Sequence, residues 1–123
     1  MNQTELLQEA KKARSFAKAK YSEYKVGAAL YCENGKVIHG CNVESKAYPT
    51  TMCAERVAIF SAISQGITNF KSIAVITKDG ATPCGSCRQV IYEYAGDIPV
   101  YIGDLNGNEY CIQMSELLPN PFL

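Results

Sequence analysis

Apolar residues return with a helical period near the start of the chain. Leu6, Leu7, Ala10, Ala13, Phe16 and Ala17 fall on one stripe, which predicts an amphipathic helix over 4–19. The pattern then shortens. V-G-A-A-L-Y-C (26–32) and V-I-H-G-C (37–41) are compact apolar runs joined by E-N-G-K, and Asn34-Gly35 between two such runs is a strong hairpin signal. An irregular polar stretch, 42–52, precedes a second helix from about Cys53 to Gln65, with Gly66 placed to end it. S-I-A-V-I-T (72–77) reads as a buried strand closed by the turn K-D-G-A, and Pro83 introduces a helix over 84–94. P-V-Y-I-G-D (99–104) and E-Y-C-I-Q (109–113), joined by L-N-G-N, read as a second hairpin, and Ser115 as the cap of a short M-S-E-L-L turn.

The order α-β-β-α-β-α-β-β-α predicts an α/β fold: a five-stranded mixed sheet with helices on both faces. Hairpins supply the antiparallel pairs, and strands separated by helices are expected to be parallel neighbours. At 123 residues, without repeats or linkers, residues 1–123 are expected to form one domain.

Composition narrows the function classes. Twelve basic and twelve acidic side chains cancel, so no overall field draws the chain to nucleic acid or to an anionic membrane. Lys11, Lys12, Arg14, Lys18 and Lys20 crowd one side of the first helix, but Glu5 and Glu9 share it, as on a solvated face. No apolar run approaches a bilayer span, and the acidic start M-N-Q-T-E lacks the order of a signal peptide, which implies a cytosolic location. Six cysteines in such a protein do not call for disulfides. Cys32, Cys41 and Cys111 lie in strand-like stretches and are expected to be small buried hydrophobes.

The remaining three cysteines are placed differently. Pro83-Cys84-Gly85-Ser86-Cys87 puts two thiols three apart at a helix start, where unpaired N–H groups favour thiolates. Such a pair alone suits a redox dithiol, half of a structural zinc site or part of a catalytic one. Cys53, at the mouth of the preceding helix, adds a third thiolate and leaves a fourth metal position for water, as in catalytic zinc sites. His39, the only histidine, lies in a predicted strand and reads as a strand residue rather than a ligand. Glu55, two residues after Cys53, is a carboxylate able to take a proton from a metal-activated water and deliver it to a leaving group. Three thiolates leave Zn²⁺ with a net negative charge, which a guanidinium offsets; Arg56 lies on the same helical face as Cys53, and Arg88 is a weaker candidate for that duty.

Cys53-Ala54-Glu55 with P-C-x-x-C is the pattern of zinc-dependent nucleobase deaminases. With Y-S-E-Y-K-V-G-A-A-L, G-C-N-V-E, P-C-G-S-C-R-Q-V and S-E-L-L-P, the chain resembles the free-nucleoside cytidine deaminases nearly end to end. The resemblance implies a three-layer α/β/α fold and one Zn²⁺ per chain held by Cys53, Cys84 and Cys87. It implies hydrolysis of the C4 amine of cytidine or deoxycytidine to the uracil nucleoside and ammonia, a pyrimidine-salvage reaction, with Glu55 protonating N3 and then the departing amine. It further implies that Asn42 and Glu44 hold the ribose 3′-hydroxyl, that Tyr24 stacks near the base, and that the N–H of Ala54 and carbonyl of Thr82 contact O2 and N4. Similar enzymes are homotetramers, in which Phe122 and Tyr48 match aromatics placed at a neighbour's site.

Several positions depart from the family pattern. Ser45 stands where Asn is common, Lys20 and Lys18 where a Pro and an aromatic usually lie, Tyr24 replaces the more usual Phe, and Lys46 adds a cation. Deamination of a modified cytosine nucleoside, as by the related blasticidin S deaminases, is the nearest alternative, because those enzymes share C-A-E and P-C-G-x-C-R-Q-V. Editing of a nucleic acid fits poorly with zero net charge and no aromatic-basic platform. A non-enzymatic zinc module would require a fourth protein ligand, and a redox protein a metal-free dithiol.

Overall fold

A computed structural model describes residues 1–122. Five strands form one sheet in the order β2-β1-β3-β4-β5. They are β1 (Gly27–Cys32), β2 (Val37–Cys41), β3 (Phe70–Ile76), β4 (Pro99–Gly103) and β5 (Glu109–Gln113). Helix α1 (Gln3–Arg14) covers one face; α2 (Ala54–Ser64), α3 (Gly85–Ala95) and the short α4 (Met114–Leu117) belong to the other.

The sequence explains this division. Along β1, Ala28, Leu30 and Cys32 face the larger core with Ala58 and Ile59, whereas Ala29 turns to Leu6, Leu7 and Ala10 of α1. β3 alternates likewise: Ile73 and Val75 on one side, Ala74 and Ile76 on the other. Small side chains let both helices sit close to the sheet. A Cβ on Gly40 of β2 would lie 2.2 Å from the Ala54 carbonyl of α2. One on Gly27 would lie 2.0 Å from the Ala10 carbonyl of α1.

The β1–β2 and β4–β5 hairpins are antiparallel and β3–β4 is parallel, as expected. The crossover through α2 behaves differently. Because the hairpin already occupies one edge of β1, the chain leaving β2 lands on the other edge, and β3 pairs antiparallel with β1 rather than parallel with β2.

α1 begins on a reciprocal cap, in which Glu5 N–H donates to Asn2 Oδ1 at 2.8 Å and Asn2 N–H to Glu5 Oε1 at 3.0 Å. It stops at Arg14, short of the predicted 19. Lys18 leaves the helix to bridge Val43: its N–H donates to Asn42 O at 2.9 Å and its carbonyl accepts from Glu44 N–H at 2.8 Å. This long-range pairing overrides local helix propensity and leaves Phe16 74% exposed instead of on the buried stripe. Gly66, at φ 80°, follows α2 where the sequence placed its end. The cap of α4 is Gln113, paired with Glu116, not Ser115, whose N–H donates to Asp97. Cys32 is buried and Cys41 half-buried, but Cys111 is exposed on edge strand β5, against expectation.

Candidate functional site

Two helix N-termini meet at the site. Cys53 is the N-cap of α2 and Cys84 of α3; both have extended backbone, and neither thiol caps its own helix, so both sulfurs stay free to turn outward. Cys87 lies one turn into α3 and is buried. The Sγ atoms of Cys53, Cys84 and Cys87 all lie within 4.8 Å of one another, with Cys53–Cys84 at 3.8 Å and Cys84–Cys87 at 3.3 Å. All three are free thiols. Three converging soft donors with room for a fourth ligand suit one Zn²⁺ in an open tetrahedral site.

Charge around the thiols favours metal binding. Arg56 Nη2 donates to Cys53 Sγ at 3.2 Å, one turn along α2 as the spacing predicted. Hydrogen bonding from Cys87, then from Arg56, pulls the Cys53 thiol down to about 5 against the opposing effect of burial. The same Cys53–Cys87 bond, with burial, pushes the Cys87 thiol up. Arg56 Nε is buried without a partner, a cost that nearby thiolate charge offsets. Arg88 does not share this duty. Its guanidinium reaches Pro83 O at 2.8 Å, Leu117 O at 2.9 Å and Thr82 Oγ1 at 2.9 Å, bracing the loop ahead of Cys84.

Glu55 sits in the first turn of α2, 4% exposed. Burial, with the negative charge of Cys53, pushes its carboxyl up to about 7. It borders a pocket of about 290 Å³ that also takes in Cys53, Cys84, Ala54, Thr82, Asn42, Glu44 and Tyr24. Seven of the sequence candidates for binding, acid–base or metal roles thus share one cavity with Glu55. Cys87 lies behind its wall, and Phe122 and Tyr48 lie outside it. Tyr48, on a 3₁₀ turn (Tyr48–Thr50), is 71% exposed and meets Tyr21 edge-to-face at 6.0 Å. Phe122 is 84% exposed, its backbone held by the Gln89 amide through bonds of 3.1 and 3.2 Å.

The polar wall is tightly held. Asn42 Oδ1 accepts from Val26 N–H at 2.9 Å and its Nδ2 donates to Tyr24 O at 2.8 Å, so this side chain fixes the segment entering β1. One lone pair and one amide hydrogen remain for a ligand. Glu44 accepts from the N–H groups of Tyr21 and Ser22, both at 3.0 Å, and from the Ser22 hydroxyl. The Ser22 bonds, then the Tyr21 N–H, hold its carboxyl below the usual carboxylate range. Ser22, Thr51, Met52, Thr77 and Ala81 also line the pocket and were missed from sequence, where each reads as an ordinary loop or strand-end residue.

The model of the cytidine and deoxycytidylate deaminase zinc-binding region matches residues 1–102. The chain belongs to the cytidine deaminase family. A cytidine deaminase from Sporosarcina psychrophila is 46% identical over 125 aligned positions, covering 99% of this chain and 92% of that protein. The crystal structure of cytidine deaminase from Burkholderia pseudomallei superposes with a TM-score of 0.96 at 42% identity, covering 99% and 100% of the two chains. A blasticidin-S deaminase from Bacillus cereus is 32% identical over 108 positions, 80% of this chain and 76% of that protein. As a member of the family, the chain is an enzyme with a zinc-binding deaminase region, and its Cys53–Cys84–Cys87 group is positioned for one metal ion. Among the described residues no helix is long and apolar enough to cross a membrane.

Proposed function

We propose that this enzyme hydrolyses cytidine and deoxycytidine to uridine and deoxyuridine with release of ammonia. The observation that carries the reading is one pocket in which a buried carboxyl, two of the three thiols of an open metal group and a polar Asn–Glu wall face the same space. Water replaces the amine: a C4–O bond forms, the C4–N4 bond breaks, and two protons must reach nitrogen along the way.

Zinc, when bound, supplies a water acidified enough to attack at neutral pH. The chain's own residues do the rest. Glu55 carries protons, first to N3 and then to the departing amine; its carboxyl, pushed up to about 7, suits both taking and giving a proton near neutrality. Ala54 N–H, at the mouth of α2 where helix donors have no internal partner, meets the base O2, and the Thr82 carbonyl, braced through Arg88, accepts from N4. Glu44, held ionised, accepts from a ribose hydroxyl, and Asn42 offers its remaining amide hydrogen. The ring of Tyr24 flanks the base.

The working unit in this reading is a homotetramer. Tyr48 and Phe122, exposed and outside their own pocket, serve neighbouring sites, and Phe60 and Ile63 leave α2 with an apolar outer face, 39% and 41% exposed. Residues 1–123 act as one domain in the reducing cytosol, where thiolate ligands persist, as a salvage enzyme.

The test is ammonia release by the zinc-loaded protein from cytidine, deoxycytidine, cytosine, CMP and blasticidin S. Turnover of the two nucleosides well above the others is the expected result. Preference for blasticidin S would replace the plain-nucleoside reading with the modified-nucleoside one, and turnover of CMP above cytidine would overturn the free-nucleoside reading.

A further inference from the structure

Tyr24 carries a hydroxyl that the acid–base and metal chemistry does not use, and the structure gives it a partner. The phenol donates to Asp79 Oδ1, in the loop that follows β3. Thr77 Oγ1 donates to the same oxygen at 3.2 Å and accepts from Ala81 N–H at 2.9 Å. The Lys78 ammonium lies 5.4 Å from the centroid of the Tyr24 ring. Asn42 already holds the backbone at and just after this residue, through Tyr24 O and Val26 N–H. The tyrosine is therefore held at backbone, ring face and hydroxyl by two separate parts of the chain, Asn42 and the Lys78-Asp79 loop.

We propose that Asp79 is a positioning residue: with Tyr24 it forms a latch that joins the two walls of the pocket mouth and sets the aromatic wall before the base arrives. This rests on the nucleoside reading above. Asp79 does not line the pocket, whereas Tyr24, Thr77, Ala81 and Thr82 do, so its influence on a ligand passes through them. The charge of the acceptor suits the role. An ionised carboxylate makes a stronger bond to a phenol than a neutral acceptor does, and the Tyr24 bond in turn holds the Asp79 carboxyl low. Without the latch, a half-exposed aromatic side chain regains rotational freedom that binding must remove again, which weakens binding rather than the chemical step.

Steady-state kinetics on the zinc-loaded enzyme with cytidine test this. Asp79→Ala is expected to raise KM about fivefold while changing kcat by less than about twofold, the signature of lost uniform binding. Tyr24→Phe, which removes only the hydroxyl, is expected to raise KM by a similar factor, and Asp79→Ala to add little in that background. Asp79→Asn keeps an acceptor and is expected to recover most of the loss. Equal effects of Asp79→Ala in the wild-type and Tyr24→Phe backgrounds, or an unchanged KM in both single variants, would overturn the latch. A substrate-free readout separates this failure from that of the nucleoside reading. In NMR of isotope-labelled tyrosine, Asp79→Ala is expected to lower the pH at which Tyr24 ionises, because a carboxylate acceptor opposes formation of phenolate. A Tyr24 titration indifferent to Asp79 would overturn the latch whatever the substrate proves to be.

Discussion

The position of α2 is set by a missing side chain, and restoring one gives a quantitative test. An alanine Cβ at Gly40 would lie 2.2 Å from Ala54 O, 2.7 Å from Ala58 N and 3.0 Å from Ala58 Cβ. Two of these three neighbours are backbone, so no rotamer change relieves the overlap. Ordinary contact begins at 3.4 Å, so the first turn of α2 must withdraw by roughly 1 Å, and misplacement on that scale costs on the order of 100-fold in rate. That turn carries Glu55 and Arg56 and follows Cys53 directly, so the carboxyl and one thiol move relative to the α3 thiols. Overpacking of this kind also costs about 1–3 kcal/mol of stability. Gly27→Ala is the matched control. Its Cβ would lie 2.0 Å from Ala10 O and 2.7 Å from Arg14 N, an equal insult to α1 on the far face of the sheet. The assay is cytidine turnover per folded molecule, with zinc content and melting temperature measured on the same samples. Both variants should lose comparable stability, but only Gly40→Ala should lose about 100-fold in kcat, with weaker zinc retention. Equal kcat in the two variants would refute the claim that α2 placement, rather than general packing, sets the site.

Three further outcomes follow from the site's electrostatics and metal. Glu44 has its carboxyl held low, so its contribution is present above the unfolded value of about 4.3 and is lost as pH falls through the lower folded value. KM for cytidine should therefore stay flat down to the ordinary carboxylate range, and Ser22→Ala should move the acid rise in KM to higher pH in a KM–pH profile. Arg56→Ala removes the donor to Cys53 Sγ and should weaken zinc binding by about 10- to 100-fold in competition with a chromogenic chelator, without unfolding the apo-protein. Stripping the metal with a chelator should abolish turnover and lower the melting temperature, and restoring zinc should recover both, since a ligand bound only by the native state stabilises it.

Much of the molecule was legible because periodicity and turn chemistry are local. The alternation that separates Ala28 and Leu30 from Ala29, the Asn34-Gly35 turn and the stop at Gly66 all act within a few residues. The metal group was legible for a related reason: each thiol's position at a helix start is a local property, and three soft donors at such starts have few other uses. What escaped was set by distant pairing. Nothing near Lys18 announces that it abandons α1 to bridge Val43, so Phe16 was placed on the wrong surface. Whether β3 would lie beside β2 or beyond β1 depended on which strand edge stayed open. Arg88 looked like a second guardian of the sulfurs because it adjoins Cys87, yet its reach is spent on Pro83, Thr82 and Leu117. The partner of the Tyr24 hydroxyl, 55 residues away, had no signal beyond the hydroxyl itself.

In the proposed reaction, the Glu55 carboxyl beside a zinc-thiolate group carries the protons of cytidine hydrolysis. The most direct measurement is the rate of uridine formation from cytidine by zinc-loaded wild type and by Glu55→Gln, with bound zinc determined in both. One zinc per chain is expected in each protein, with kcat lower by about 10²- to 10⁴-fold in the variant. A Glu55→Gln enzyme that keeps its zinc and turns over within a few-fold of wild type would contradict this role of Glu55.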